Sequence, residues 1–221
     1  MLTFKNEIMG EKLKIDIVSD VVCPWCAIGY KRLEKAIAEL GFEDKVSIEW
    51  QPFELNPGMP PKGQDLTEHI AEKYGSTLEQ QQASQQNMTD IGEELGFKFD
   101  YFEGMRMANT FDAHVLLEYA KDFGKQTELK LRLMNSFFNE RQDVSDRAVL
   151  KQALLDVGLN ADEALANLDS EEARYEVRNK QGQWKNMGVN SVPTIVFNMK
   201  SAVTGAQPVD TFKQVLIDLV G

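Results

Sequence analysis

Period-two hydrophobic alternation, the pattern of a half-buried strand, falls only near the two ends of this 221-residue chain. Leu13, Ile15 and Ile17 alternate with Lys12, Lys14 and Asp16, and Val46, Ile48 and Trp50 alternate with Ser47, Glu49 and Gln51. Between those runs Tyr30, Leu33, Ile37 and Leu40 recur at helical spacing, and Gly41 stands where a helix C-cap belongs. A helix crossing between two strands predicts a parallel βαβ unit. Near the other end, Thr194–Phe197 and Ala202–Thr204 flank Asn198-Met199-Lys200-Ser201, which suits a hairpin turn. Pro208 then opens a terminal helix with Val209, Phe212, Val215, Leu216 and Leu219 on one stripe. Residues 12–57 and 171–221 are therefore expected to form one α/β unit of order β-α-β…α-β-β-α.

Residues 58–170 show no convincing strand and are expected to be all-helical. Asn56–Gly63 is a turn-forming linker, and Asp65 with Glu68 forms a capping-box signature before Leu66, Ile70 and Tyr74. The Gln-rich stretch from Gln80 to Gln86 is framed by Leu78, Met88, Ile91 and Leu95, so it is predicted to be the solvated face of a helix. Further helices are predicted at Thr110–Phe123, Glu128–Asn139, Asp146–Val157 with Ser145 as cap, and Ala161–Leu168 opened by an Asn160–Glu163 capping box. A long helix should run from Glu171 towards Met187, with Gly182 weakening its middle.

The net charge of −11 and the lack of a basic block argue against a nucleic-acid partner. No run reaches the roughly 20 apolar residues of a membrane-spanning helix. Met1–Lys14 mixes Lys5, Glu7, Glu11, Lys12 and Lys14 with short apolar stretches, unlike a signal peptide, so a cytoplasmic location is expected. In that compartment a cycling disulfide is commoner than a structural one.

The only two cysteines occur as Cys23-Pro24-Trp25-Cys26, between the first strand and the first helix. A thiol at a helix N-terminus meets the positive end of the macrodipole and unpaired N–H groups, which favour the nucleophilic thiolate. Cys23 is thus expected to be the exposed attacking residue. Cys26, about a turn deeper, should resolve the mixed disulfide. Pro24 suits the first helical position, and Trp25 should shape the rim. Two inert core cysteines are the plainer alternative. A metal site is not expected, because only His69 and His114 could join the thiols and their spacing matches no zinc pattern. His69 is expected on a helix surface, and His114 to be packed or solvent-exposed. Met59, Met105 and Met107 are expected in the core or on ordinary surface rather than in a substrate groove.

The order β-α-β…α-β-β-α, with the dithiol opening the first helix, resembles the thioredoxin fold, and a helical insertion between its halves resembles the DsbA-like oxidoreductases. Ser19–Cys26, Phe53–Pro57, Asn109–His114, Val189–Pro193 and Gly205–Pro208 look like the cytoplasmic FrnE-like branch. This resemblance implies thiol–disulfide exchange with a disulfide-containing protein or a small thiol such as glutathione. The redox-active pair Cys23–Cys26 would need no further cofactor, and in a reducing cytosol reduction or isomerisation is the expected direction. The resemblance also implies that Pro193 is a cis-proline facing the dithiol, and that the Val192 backbone pairs with an extended substrate. Thr194, opening the following strand, and Asn109, in a family-like stretch, join Val192 as substrate-binding candidates. Asp16 is the candidate for a buried proton-relay acid beneath the dithiol, provided a bulge brings it round. Kappa-class glutathione transferases and hydroxychromene-carboxylate isomerases resemble the same architecture, but they usually carry serine at the first cysteine position. A peptide-binding chaperone surface on the insertion is a third possibility.

Overall fold

The computed structural model describes residues 12–220. Residues 1–11, which carry most of the stretch expected to lack a signal peptide, lie outside the described residues. Strand β1 (Leu13–Ser19), helix α1 (Pro24–Leu40) and strand β2 (Val46–Pro52) form the βαβ unit, with β1 and β2 parallel. At the far end, α8 (Glu171–Asn186) leads to the hairpin β5 (Thr194–Phe197) and β6 (Ser201–Thr204), then to α9 (Val209–Val220). Strand β5 pairs antiparallel with β1, so the four-stranded sheet runs β2-β1-β5-β6.

Side-chain alternation assigns each face of this sheet. Ile15, Ile17, Ile195 and Phe197 share one core with Leu33 of α1 and Phe212 and Leu216 of α9. Val18 and Val196 point the other way and pack with Phe53, Val189 and the α8 residue Trp184. Because the strand period is two, neighbours in sequence are committed to opposite layers.

Between β2 and α8 lie α2 (Leu66–Tyr74), α3 (Leu78–Glu94), α4 (Phe111–Asp122), α5 (Gln126–Phe138), α6 (Arg147–Asp156) and α7 (Ala161–Ala166). The all-helical expectation for residues 58–170 needs one correction. Gln64–Asp65 (β3) and Arg106–Met107 (β4) pair antiparallel as a small second sheet. Two residues per strand are too few for alternation to show. Gly63 allows the pairing, since its φ is +65° and a Cβ there would collide with the Met107 carbonyl. The Arg106 guanidinium donates to the Lys62 and Gly63 carbonyls and holds the linker to β4.

Helix starts follow local capping chemistry. Asp65 accepts from the Glu68 N–H as expected, and Asn160 from the Glu163 N–H. Helix α6 is capped by Asp146 rather than by Ser145, its carboxylate accepting from the Ala148 N–H. The Gln-rich stretch is helical and opened by a Thr77–Gln80 capping box, and Gln81 alone among its glutamines is buried.

The edge strand β2 is closed by a side chain. The Gln126 amide accepts from the Trp50 N–H at 2.9 Å and donates to the Trp50 carbonyl at 2.9 Å, in place of a neighbouring strand. Trp50 Nε1 also donates to Thr127 Oγ1 at 3.0 Å. These bonds fix the start of α5 against the sheet. Lys130, one turn on and on the same face of α5, is thereby directed over the Trp50 ring towards the Ser19 carbonyl at the end of β1.

Candidate active site

Cys23 is the N-cap residue of α1, with extended backbone, and its carbonyl accepts from the Cys26 and Ala27 N–H groups at 3.1 and 3.3 Å. Pro24 occupies the first helical turn. Both cysteines are free thiols. Cys26 is 0% exposed and lies in the α1–sheet core, whereas Trp25 is 37% exposed at the rim.

Cys23 is only 4% exposed, against the expectation of an open surface thiol. It lies in the wall of a cavity of about 360 Å³ whose other walls include Tyr74 of α2, Met88 of α3, Tyr101, Met105, Phe138 of α5 and Val192. Helices α2 and α3 cover the dithiol and turn a surface position into the inner end of a pocket. His69 was expected on a helix surface. It lines the same cavity, and its Nδ1 lies 2.8 Å from Gln64 Oε1. Met105 and Met107 are buried and form cavity wall, so for these two core and groove are one place, while Met59 is buried elsewhere.

The loop before β5 faces the dithiol. The Val192–Pro193 peptide is cis, and Cys23 Sγ lies 3.9 Å from the Val192 carbonyl oxygen, a weak S–H···O contact. Gly29 lets α1 approach this loop, because a Cβ there would stand 3.0 Å from Pro193 Cγ. The Thr194 hydroxyl donates to the Ser191 carbonyl at 2.8 Å and shapes the loop. Thr194 is buried and does not line the cavity. Asn109 is also elsewhere. Its amide donates to the Met59 carbonyl at 2.7 Å and accepts from the Phe111 N–H at 3.1 Å, and the residue borders a separate groove along α8.

Asp16 is not beneath the dithiol. The β1–β2 register runs unbroken from Leu13↔Val46 to Ser19↔Pro52, without the bulge that would rotate it. It therefore stays on the α8 side of the sheet, where it accepts from Gln51 Nε2 at 2.7 Å and pairs with Lys14 at 3.2 Å. Ile17, one residue on, takes the face towards α1.

The groups behind the dithiol are Asp20, His114 and Lys130, each 1% exposed. Asp20 Oδ1 accepts from the Val21 N–H at 2.8 Å and lies 3.2 Å from His114 Nε2, while Oδ2 accepts from the Leu55 N–H at 2.8 Å. Burial works against the Asp20 carboxylate. Its bond and charge interaction with His114, the Leu55 N–H and the nearby Lys130 outweigh that and hold it below the ordinary carboxylate range. Burial first, and the adjoining Cys23 sulfur second, push the Cys26 thiol up, with Lys130 acting in the opposite sense. Lys130 is itself pushed down to about 8 by burial, opposed by Cys26, Asp20 and Cys23. His114 carried a weak signal in the motif Asn109–His114. Lys130 carried none, being one lysine on a helix.

A family model described as the DSBA-like thioredoxin domain matches residues 14–217. The crystal structure of a probable DsbA oxidoreductase from Streptomyces coelicolor is similar at a TM-score of 0.88 and 31% identity, covering 94% of this chain and 89% of that one. The uncharacterized protein YwbO of Bacillus subtilis is 25% identical over 207 residues, which is 92% of this chain and 96% of that protein. The cytosolic disulfide reductase DsbM from Pseudomonas aeruginosa, in a structure with GSH, has a TM-score of 0.65 at 18% identity, covering 93% of this chain and 98% of that one. At that identity the likeness speaks for the fold alone.

Proposed function

The chain belongs to the DSBA-like thioredoxin family, and from that premise we propose that it is a cytoplasmic thiol–disulfide oxidoreductase working in the reducing or isomerising direction, with Cys23 as nucleophile and Cys26 as resolving thiol. The observation that carries this reading is the unequal placement of two sulfurs in one turn of helix. Cys23 borders the cavity opposite the Val192 carbonyl, whereas Cys26 lies one turn deeper in the core.

The chemistry follows from that placement. The Cys23 thiolate attacks a substrate disulfide R–S–S–R, a Cys23–S–S–R bond forms, and one RS⁻ departs. Cys26 then attacks Cys23 Sγ and closes the internal disulfide, and the second R group leaves as a thiol. The dithiol loses two electrons and the substrate disulfide gains them. An extended substrate segment beside Val192 would present its sulfur to Cys23, with Trp25 bordering the entrance. Substrates are disulfide-containing proteins with a flexible segment, or low-molecular-weight disulfides, both admitted by a cavity of about 360 Å³. The redox-active pair is Cys23–Cys26 itself. Among the described residues no helix is long and apolar enough to cross a membrane.

Trapping tests the assignment. Cys26→Ser should accumulate covalent mixed disulfides through Cys23, seen by intact-protein mass before and after reductant, and Cys23→Ser should accumulate none. Wild-type protein should catalyse insulin reduction by a small thiol. Failure of the Cys26→Ser variant to trap any disulfide, together with no insulin reduction by the wild type, would overturn it.

A further inference from the structure

Lys130 is an ammonium-bearing side chain with 1% exposure, which is a costly place for a charge. Its own bonding does not account for that cost. Nζ reaches one acceptor, the Ser19 carbonyl, at 3.5 Å, and lies 5.2 Å over the Trp50 ring. Among the described residues no carboxylate forms a salt bridge with it. The groups that face it come from every element around it. These are Cys23 and Cys26 from α1, Asp20 from the loop before α1, Trp50 from β2, and His114 with Glu118 from α4. Glu118 is bonded to Lys180, and Asp20 is occupied by His114 and two backbone N–H groups. The groups left to interact with the Lys130 charge are the dithiol and, through space, the Asp20 carboxylate.

We propose that Lys130 is a positioning residue for the resolving step, a fixed buried cation that stabilises Cys26 as its thiolate while Cys26 attacks the mixed disulfide. The proposal rests on the dithiol reading above. In the step, Cys26–SH and Cys23–S–S–R become the Cys23–Cys26 disulfide and R–SH. The proton lost by Cys26 ends on the departing thiolate, and Lys130 keeps its own proton throughout. Charge develops on a sulfur that is 0% exposed, where a pre-placed cation acts with little screening. The lowered pKa of Lys130, about 8, leaves it mostly charged at neutral pH, and burial makes the Cys26 thiol a poor acid that needs such help. The Gln126–Trp50 bonds one turn earlier hold α5 in the register this role requires. The cation therefore comes from the helical segment and not from the strand bearing Asp16.

A single-turnover reaction with a symmetrical aromatic disulfide, whose released thiolate is coloured, separates the two steps. The first equivalent of colour reports attack by Cys23 and the second reports attack by Cys26. Lys130→Met, close to lysine in volume, should slow the second phase by about 10²-fold, leave the first within about threefold, and shift the pH profile of the second phase towards alkali by at least about one unit. Lys130→Arg should return the second phase to within about tenfold of wild type. A second phase in Lys130→Met that is unchanged, or slowed with its pH profile unmoved, overturns the proposal and leaves Lys130 a structural residue. Should Lys130→Met not fold, Lys130→Arg decides alone, since a pH profile displaced by more than about one unit despite the retained charge also overturns it. Absence of the first phase in wild-type protein would instead defeat the dithiol reading.

Discussion

In front of Cys23 lies a cavity of about 360 Å³ walled largely by Tyr74, Met88, Tyr101, Met105 and Phe138; behind Cys26 lie Asp20, His114 and Lys130, each 1% exposed. The front has space and little charge. The back has charge and almost no exposure. Both regions are built largely from the segment between β2 and α8, while the sulfurs and the Val192–Pro193 loop come from the strand-bearing ends. The contrast shows how one dithiol can hold two unequal thiols. On the proposed function, a foreign disulfide would meet Cys23, the sulfur that borders space, and Cys26 would have only that internal partner. Substitutions at the front should therefore change access with little cost in stability, and substitutions at the back should cost stability and change chemistry.

The largest effect is expected from Asp20→Asn. It replaces one of the two buried carboxylate oxygens that accept from the Val21 and Leu55 N–H groups by an NH2 donor, and should lower unfolding stability by about 3 kcal/mol in urea denaturation. The acid limb should change as well. Asp20 has a folded-state pKa below its unfolded value, so its contribution is complete above about pH 4 and is lost as pH falls through the lower, folded value. Wild-type stability should drop across that acidic window, and Asp20→Asn should be flatter there. Equal slopes in the two proteins would break the contrast at its charged side.

Gln126→Leu should cost about 2 kcal/mol, because the Trp50 N–H and carbonyl both lose their partner at a buried strand edge. The same variant should slow the second phase of the single-turnover reaction more than the first, since α5 carries Lys130. A uniform slowing of both phases would separate the edge closure from the chemistry.

Ser84→Trp, placed on the α3 wall of the cavity, should lower kcat/KM for a small disulfide about tenfold, or about 1.4 kcal/mol of transition-state stabilisation. Stability should stay within about 0.5 kcal/mol, as for other exposed substitutions. A fall in melting temperature as large as that of Gln126→Leu would mean that the front is as tightly packed as the back.

Asp16→Asn should matter least to exchange, with both phases within about twofold of wild type and a stability cost of about 1 kcal/mol from its Gln51 and Lys14 partners. A selective loss of the second phase would return Asp16 to the relay role that its side of the sheet denies it.

Much of the architecture was legible because it rests on local rules. Alternation at Leu13–Ile17 and Val46–Trp50 marked the paired strands, and Gly41 marked the end of α1. Asp65 and Asn160 marked helix starts through caps whose partners lie three residues away. The β3–β4 pair escaped because two residues carry no period. Within the site, the spacing of Cys23 and Cys26 was plain, and so was the family-like proline at 193. The depth of Cys23, the cavity position of His69 and the outward turn of Asn109 were not. Each depends on which helix of the intervening segment covers which loop, and helical periodicity says that a face is buried without saying against what.

By itself, the sequence determined the order of the elements and the seat of the dithiol at the start of a helix. Those are consequences of spacing along one chain, where a helix end and a period of two act over a few residues. Only the tertiary structure decided which charge stands behind Cys26. Asp16 is seven residues from Cys23 in sequence, yet the unbroken β1–β2 register sends it to the far face of the sheet. Lys130 is more than a hundred residues away, yet Gln126 anchors its helix to the edge of β2 and brings it beneath the dithiol. Electrostatic fields act through space, and the distances that set them exist only once the sheet edge is closed.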